Sequence, residues 1–500
     1  MRSSFWLDTH PVRVEAPQDI AAETHYDTVV AGAGLTGLTA AVLLARAGHQ
    51  VAVVEARHVG AAATGNTTAK VSLLQGTNLS SIRSHRSDEV LGAYVEGNQE
   101  GQAWLLRYLE EKGLDYQRRT SYIYAHSEKG VSSLEKELDA CRAAGLPAEW
   151  AAETELPHPT AGAVALPDQA QMHPTELLEA LVTELGERGG HIFEGARMTD
   201  ADAGSPVQVH TTAGTLEAGH LVLATGAPVL DRGGYFAKLK GHRSYAQTYR
   251  LPADGSMPRG MYLSVDSPGR SIRTVPYDGE ELLLVGGNGH VVGRASSHQG
   301  AVDDLEAWTQ KHFPGAQRTH AWSAQDYRPA DFVPFFGRLP RGGDNIYVAT
   351  GYNKWGMTNG TAAALAISSE ILGGQMPWAE KLNPRPATAS AVATGVKDNV
   401  SIGARMTKDW VSAELSALPE EDPQEGQGFV GRVEGKPVGV STVGGTTRRV
   451  SAVCPHMGGV LNWNDAECTW DCPLHASRFT AEGAVLEGPA VTELTQHDEQ

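Results

Sequence analysis

Residues 27–57 read DTVVAGAGLTGLTAAVLLARAGHQVAVVEAR: an apolar strand, a glycine turn, a helix, and a second strand that closes on Glu55. Gly32, Gly34 and Gly37 stand at GxGxxG spacing between strand and helix. In that pattern the first glycine permits the tight turn, the second lets the backbone approach a pyrophosphate, and the third lets helix and strand pack closely. The helix N-terminus faces the phosphates, and Glu55 is placed to accept hydrogen bonds from ribose hydroxyls. A dinucleotide site on a Rossmann-like α/β unit follows.

A chain of 500 residues exceeds one hydrophobic core, so two or three domains are expected. Its 41 Lys and Arg against 59 Asp and Glu leave a net charge of −18, which gives no electrostatic reason to approach nucleic acid or anionic lipid. No apolar run reaches the length of a transmembrane segment, and the opening MRSSFWLDTHPVRVE lacks the apolar stretch of a secretory signal. A cytoplasmic protein is expected.

From His25 to about Pro377, strand-like runs (DTVVAGAG, QVAVVE, HLVLATG, NIYVATG) alternate with helical stretches, among them residues 88–113 and a helix started by His173-Pro174. The middle runs VQVHTTAG, SYAQTYRL, GMYLSVD and ELLLVGG are separated by turns and predict an antiparallel sheet inserted among the parallel units. The reading is therefore one large domain over 1–385, with a nucleotide lobe at about 25–75, 170–235 and 320–380 and a second lobe, read as the substrate lobe, in between. Residues 386–428 read as a linker carrying one short amphipathic helix, and 429–500 as a small all-β module.

Two further strands end in Ala-Thr-Gly, at HLVLATGAPV and NIYVATGYNKWGMTNG, and a Gly and Thr-rich loop, ATGNTTAK, follows Glu55. With GxGxxG, this set resembles the FAD-dependent oxidoreductases of the D-amino acid oxidase superfamily over about residues 5–380. The resemblance implies that the loop containing Thr67, Thr68 and Ala69 lies along the pyrophosphate and ring, and that Met198 meets the adenine through its backbone. It implies that Gly226 belongs to the second Ala-Thr-Gly, and that Gly351, Met357 and Thr358 deliver a helix N-terminus toward the flavin, where a positive dipole end favours the reduced ring. The loop after Glu55 holds neither Cys nor His, and Cys141 reads as a buried small hydrophobe, so the FAD is expected to be non-covalent. GGNGHVVG at 286–293 comes nearest to a second fingerprint but lacks a following helix and acid, which disfavours NAD(P)H as direct donor.

Residues 454–479, CPHMGGVLNWNDAECTWDCPLHASRF, contain Cys454-x-His456 and Cys472-x-x-His475. Two thiolates and two imidazoles suit tetrahedral zinc. The order instead supplies one Cys and one His from each of two loops, so that both cysteines can hold one iron and both histidines the other, as in a Rieske [2Fe–2S] centre. The flanks, Trp470-Asp471, Ser477-Arg478-Phe479 and EGAVLEGPA, resemble that family. By that resemblance Gly459 and Leu474 occupy the positions of the respiratory members' disulfide, Ser477 that of a serine donating to a bridging sulfide, and Phe479 that of a tyrosine donating to a ligand sulfur. Cys468 matches neither disulfide position and reads as a bystander.

A flavin fold joined to a Rieske module changes electrons from pairs to singles within one chain. The first expectation is a dehydrogenase that oxidises an amine or amino-acid-like small molecule at FAD and passes electrons through the cluster to an external one-electron carrier, ferredoxin or quinone-like. The substrate class comes from the resemblance. The alternatives are reverse flow, from an external donor through the cluster to FAD for a reductive or oxygen-activating reaction, and a non-enzymatic electron-transfer adaptor. Lys354 and Arg328 are the first candidates for catalysis, because their loops resemble flavin-facing segments; His242, Arg243, Tyr245, His290, Tyr327 and Trp355 stand behind them.

Overall fold

The computed structural model describes residues 4–15, 20, 24–253, 255–383, 406, 410, 418 and 421–497. The helix expected within 386–428 therefore lies outside the described residues, apart from isolated positions. A first sheet runs, in spatial order, Phe335–Arg338, Ile346–Thr350, Gly214–Leu223, His25–Ala31, Val51–Val54 and His191–Phe193. All neighbours after the antiparallel first pair are parallel. Val51–Val54 and Ile346–Thr350 are buried at every residue, as a parallel sheet covered on both faces requires. The helix Leu35–Arg46 covers one face, leaving only Leu43 and Arg46 outside the buried set.

The long helix Asp88–Lys112 begins where Ser87 accepts from the Val90 amide at 3.3 Å and ends on Gly113 in the left-handed region. Pro174–Glu187 starts on its proline with His173 at the N-cap. Cys141 is buried in the helix Glu128–Ala143.

A second sheet runs Gln317–Pro329, Leu239–Arg250, Glu280–Val291, Arg270–Tyr277, Met261–Ser264, Tyr116–Ala125, Gly162–Met172 and Lys70–Val71. It departs from the expected all-antiparallel order at one place, where Met261–Ser264 lies parallel to Tyr116–Ala125. VQVHTTAG does not join it: Val207–Thr211 pairs with Gly214–Leu223 at the edge of the first sheet, because the turn between them is too short to let the chain leave. Residues 320–329, expected in the nucleotide lobe, lie instead in the second sheet, where they pair with Leu239–Arg250.

Those last two strands form a partition. Their register sets Gly241 opposite Tyr327, Arg243 opposite Gln325, and Tyr245 opposite Ser323, so odd-numbered residues of both share one face and even-numbered residues the other. On the even face Ala246 and Trp322 pack with Phe5, Trp6 and Ala69. The odd face receives the C-terminal module, which is a three-stranded sheet (Gly428–Val433, Lys436–Val443, Thr446–Ser451) and a four-stranded one (Asn462–Asn464, Thr469–Asp471, Arg478–Thr480, Val485–Glu487).

The docking is polar and buried. Arg243 meets Glu467 through two bonds of 2.6 Å and Glu487 at 3.3 Å. Arg478 meets Asp471 at 2.9 Å, Glu467 at 3.2 Å and Glu487 at 3.2 Å. Gln325 donates to the Ala476 carbonyl at 2.9 Å, Tyr327 to that of Gly488 at 3.2 Å, and Arg294 to that of Pro473 at 3.0 Å. A Cβ on Gly241 would lie 2.3 Å from that of Ala476, so the two backbones meet where no side chain fits between.

Removing one partner from a buried ion network strands the opposite charges. Arg243→Met should therefore cost about 3–5 kcal/mol, read as a lower urea midpoint of the transition that reports the C-terminal module, with FAD content kept.

Candidate functional site

The nucleotide turn is built by close approach. Gly32 has φ +107°, and a Cβ there would stand 2.5 Å from the Ala224 carbonyl oxygen; one on Gly37 would stand 1.9 Å from the Gly32 oxygen. Gly34 caps the following helix without a side chain, and the Leu35 amide donates to Thr64 Oγ1 at 3.1 Å. Glu55 is held against the turn, accepting from the Ala33 and Arg57 amides at 2.9 Å each. Met198 is buried at the start of the strand Met198–Asp202. Gly226, at φ +75°, offers its carbonyl to Thr350 Oγ1 and lies against the Tyr327 ring. Gly351, at φ +81°, packs on Pro329.

Met357 and Thr358 occupy the first turn of the helix Gly356–Ile371, whose N-cap residue Trp355 makes no side-chain capping bond. The Thr358 hydroxyl is turned inward, donating to Asn98 Oδ1 at 2.6 Å, which leaves the backbone of this turn as its offering to a ligand. Thr67, Thr68 and Ala69 lie in the loop that joins the two lobes. Two helix starts without side-chain caps, one at a glycine, fit the pyrophosphate and ring of FAD.

Between these ends, even-face residues of the partition gather charge. Asp326 accepts from the Lys354 and Tyr327 amides and is pushed up to about 6 by burial. That clamp holds Asn353 and Lys354, at φ +48° and +71°, in the left-handed region where non-glycine residues are strained. The Lys354 amine lies in the crook of Gly289 and Ser244, and its pKa is lowered by burial, with the Arg328 charge adding to the effect. His242 is pushed down to about 3 by burial and then by Arg328 and Lys354, so it is neutral at pH 7. Lys354, Arg328 and His242 are thus brought together. Arg243 and Tyr245 are turned to the other face: Arg243 joins the ion network, and Tyr245 Oη pairs with His298 Nδ1 at 2.8 Å. Tyr327 likewise faces the module. The parity of these positions within strands was readable from sequence, but the partner of each face was not.

In the module the two ligand loops converge. Cys454 and Cys472 are buried neighbours, and the Cys454 thiol is drawn down by hydrogen bonds from the Cys472 thiol and from the His456 and Met457 amides and the Ser477 hydroxyl. The His456 and His475 ring centroids lie 5.1 Å apart. The Nδ1 atoms of both rings are buried and have no hydrogen-bond partner among the described residues. A buried ring nitrogen left unpaired is costly unless a metal takes it. Two adjacent thiols, two orphaned imidazole nitrogens and amides aimed at sulfur fit a [2Fe–2S] cluster, with Cys454 and Cys472 on one iron and His456 and His475 on the other. Among the described residues no three such donors converge on one point, and a binuclear cluster asks each iron for only two.

Leu474 lies where a Cβ on Gly459 would meet it at 2.7 Å, so apolar packing stands in the place of a disulfide. Phe479 is fully buried with both ligand cysteines in one core, and Cys468 is unpaired. Phe236 of the flavin domain packs edge-on against His456 and His475, at 5.8 and 5.2 Å. The histidine edges therefore open into a cavity between the domains, shared with Ala227, Leu239 and Tyr327.

Comparison with known proteins agrees with both halves. The profile of the FAD dependent oxidoreductase family matches residues 27–369, and that of the Rieske [2Fe-2S] domain matches 414–498. A Rieske 2Fe-2S iron-sulfur protein of Bacillus subtilis (strain 168), YhfW, is 29% identical over 483 residues, 95% of this chain and 94% of its own. Glycine oxidase from Geobacillus kaustophilus superposes with a TM-score of 0.60 at 20% identity, covering 73% of this chain and all of its own. L-proline dehydrogenase from P. horikoshii does so with a TM-score of 0.57 at 17% identity, covering 71% of this chain and 96% of its own. No described helix is long and apolar enough to cross a membrane.

Iron and acid-labile sulfide should each assay at about two per chain, and His456→Ala or His475→Ala should lose the normal cluster while FAD stays bound. One zinc per chain would exclude the cluster. Phe479→Tyr should place a hydroxyl near the ligand sulfurs and raise the cluster potential by roughly 40 mV, the equivalent of a hydrogen bond of about 1 kcal/mol in a one-electron couple. Redox titration followed by EPR measures it, and an unchanged potential would mean that the ring does not face the cluster.

Proposed function

Because the chain belongs to the FAD dependent oxidoreductase family and continues into a Rieske [2Fe-2S] domain, we propose that it is a dehydrogenase of an amine or amino-acid-like small molecule, delivering electrons singly to an external one-electron carrier. Bound FAD supplies a hydride acceptor and the cluster a one-electron station. The observation that carries this reading is the partition: the ligand segment His475-Ala476 rests on one face of two strands whose opposite face presents Lys354, Arg328 and His242.

Gly32, Gly34, Gly37, Glu55, Thr67, Thr68, Ala69, Met198, Gly226, Gly351, Met357 and Thr358 would hold the dinucleotide, and Cys454, His456, Cys472 and His475 the cluster. Arg328 and Lys354 give the even face a positive field that suits a substrate carboxylate, for which a guanidinium supplies paired donors. His242, kept neutral, adds no charge of its own to that field. Asp326 orients the turn that carries Lys354 and in its ionised form moderates the field. The names of the structural neighbours, glycine oxidase and L-proline dehydrogenase, support a small amino acid as the class. Cys141 and Cys468, the two cysteines outside the cluster ligands, form no disulfide, which suits a reducing compartment, so a cytoplasmic site of action goes with this reading.

The test is an anaerobic titration of the holoprotein with amino acids and secondary amines, following flavin absorbance and then the EPR signal of the reduced cluster. A substrate should bleach the flavin first and bring up the cluster signal second. Arg328→Met should weaken apparent binding of a carboxylate-bearing substrate by about tenfold or more, the equivalent of losing a charged hydrogen bond of roughly 1.5–3 kcal/mol. Flavin that bleaches only after the cluster has been reduced by an external donor, and with none of these compounds, would overturn the assignment.

A further inference from the structure

The loop that follows the nucleotide turn is held in an unusual way. Five consecutive carbonyls, Gly65 to Ala69, each accept a hydrogen bond from a side chain in another part of the chain. Ser4 Oγ donates to Gly65, Trp322 Nε1 to Asn66 at 2.9 Å, and Trp6 Nε1 to Thr67 at 2.6 Å. Arg273 Nη1 donates to Thr68 at 2.7 Å and to Ala69 at 2.9 Å. Two of the four donor residues come from the extreme N-terminus, which neither the fingerprint nor the ligand motifs include.

That N-terminal segment is itself firmly seated. Ser4 caps the short helix Phe5–Thr9 through the Leu7 amide, and Ser4, Phe5 and Trp6 are fully buried. Thr175 donates to the Trp6 carbonyl at 3.2 Å, His10 pairs with Glu179 at 2.5 Å, and the Arg273 guanidinium stands 5.4 Å from the Trp6 ring. The helix thus joins the loop to the helix Pro174–Glu187 on one side and to the second sheet on the other. Carbonyls drawn outward keep their negative ends away from an anionic ligand, and a loop already ordered spares that ligand the entropic cost of ordering it.

We propose that the N-terminal helix is part of the cofactor site: a clasp whose Ser4 and Trp6 donors hold the Gly65–Ala69 loop in its FAD-binding form and so set FAD affinity. Ser4 and Trp6 are positioning residues, since they act through the loop backbone. The inference is independent of the direction of electron flow and of the substrate.

It is tested on the full chain by stripping FAD and measuring its rebinding from the quenching of flavin fluorescence, in Ser4→Ala, Trp6→Phe and the double variant. Trp6→Phe removes the N–H donor and keeps an aromatic ring beside Arg273; Ser4→Ala is the milder change should the larger one disturb folding. The dissociation constant should rise severalfold in each single variant and more than tenfold in the double, through a faster off-rate, while iron content and cluster EPR stay at wild-type values and the urea midpoint of the FAD-free protein falls only slightly, as loss of a cap or of one buried hydrogen bond requires. FAD affinity within twofold of wild type in both single variants would overturn the proposal. A loss of affinity matched by an equal fall in the FAD-free midpoint would also overturn it, since the helix would then act on global stability alone.

Discussion

One strand pair decides the arrangement of everything else. A β-strand sends successive side chains to opposite faces, and in Leu239–Arg250 and Gln317–Pro329 that alternation is used twice in the same register. One face carries Gln325, Tyr327, Arg243 and the bare backbone of Gly241, all committed to the Rieske module. The other carries the neutral His242 ring, the Arg328 charge and the Asp326 clamp on Lys354. The Ala476 segment and the group of Lys354, Arg328 and His242 thereby lie on opposite sides of a single layer of backbone, and a one-residue slip in either strand would exchange the faces and dismantle both arrangements.

The module is fixed to this partition by interactions that are hard to loosen by degrees. Tethered domains move relative to one another by default unless their interface is extensive and well made. Here buried Arg243 reaches across the junction to Glu467 and Glu487, which the module's own Arg478 binds together with Asp471, so that each arginine meets more than one acid. Such a network adds little stability over apolar packing but penalises any partial separation heavily, because every charge needs its partner once water is excluded. Glu467 is held below the usual carboxylate range by Arg243 and Arg478 despite its burial. Direct bonds to the Ala476, Pro473 and Gly488 carbonyls then set the orientation of the second ligand loop. The edges of His456 and His475 consequently face Phe236 and the flavin domain.

The same economy of backbone appears at the Gly65–Ala69 loop, where five carbonyls are held from outside, and at Asn353-Lys354, where two residues occupy the left-handed region because Asp326 and Tyr327 bind their amides. In both places an otherwise expensive conformation is kept by donors and acceptors that lie far away in sequence.

The sequence by itself determined the chemistry of the parts. GxGxxG with Glu55 is local physics, a turn and a helix start that must form from adjacent residues, and Cys-x-His with Cys-x-x-His carries its ligand order in the chain. The parallel sheet, the long helix from Asp88 and the β module followed from hydrophobic period and turn residues. Only the tertiary structure decided what each face of a strand meets. Arg243 and Arg328 are alike in type and both sit in strands of one sheet, yet one binds the module and the other lies with Lys354, because parity is written in the sequence and the occupant of each side is not. Nor does FWLD announce that Trp6 will donate to Thr67, since a contact between residues 61 positions apart is set by the packing of the whole domain.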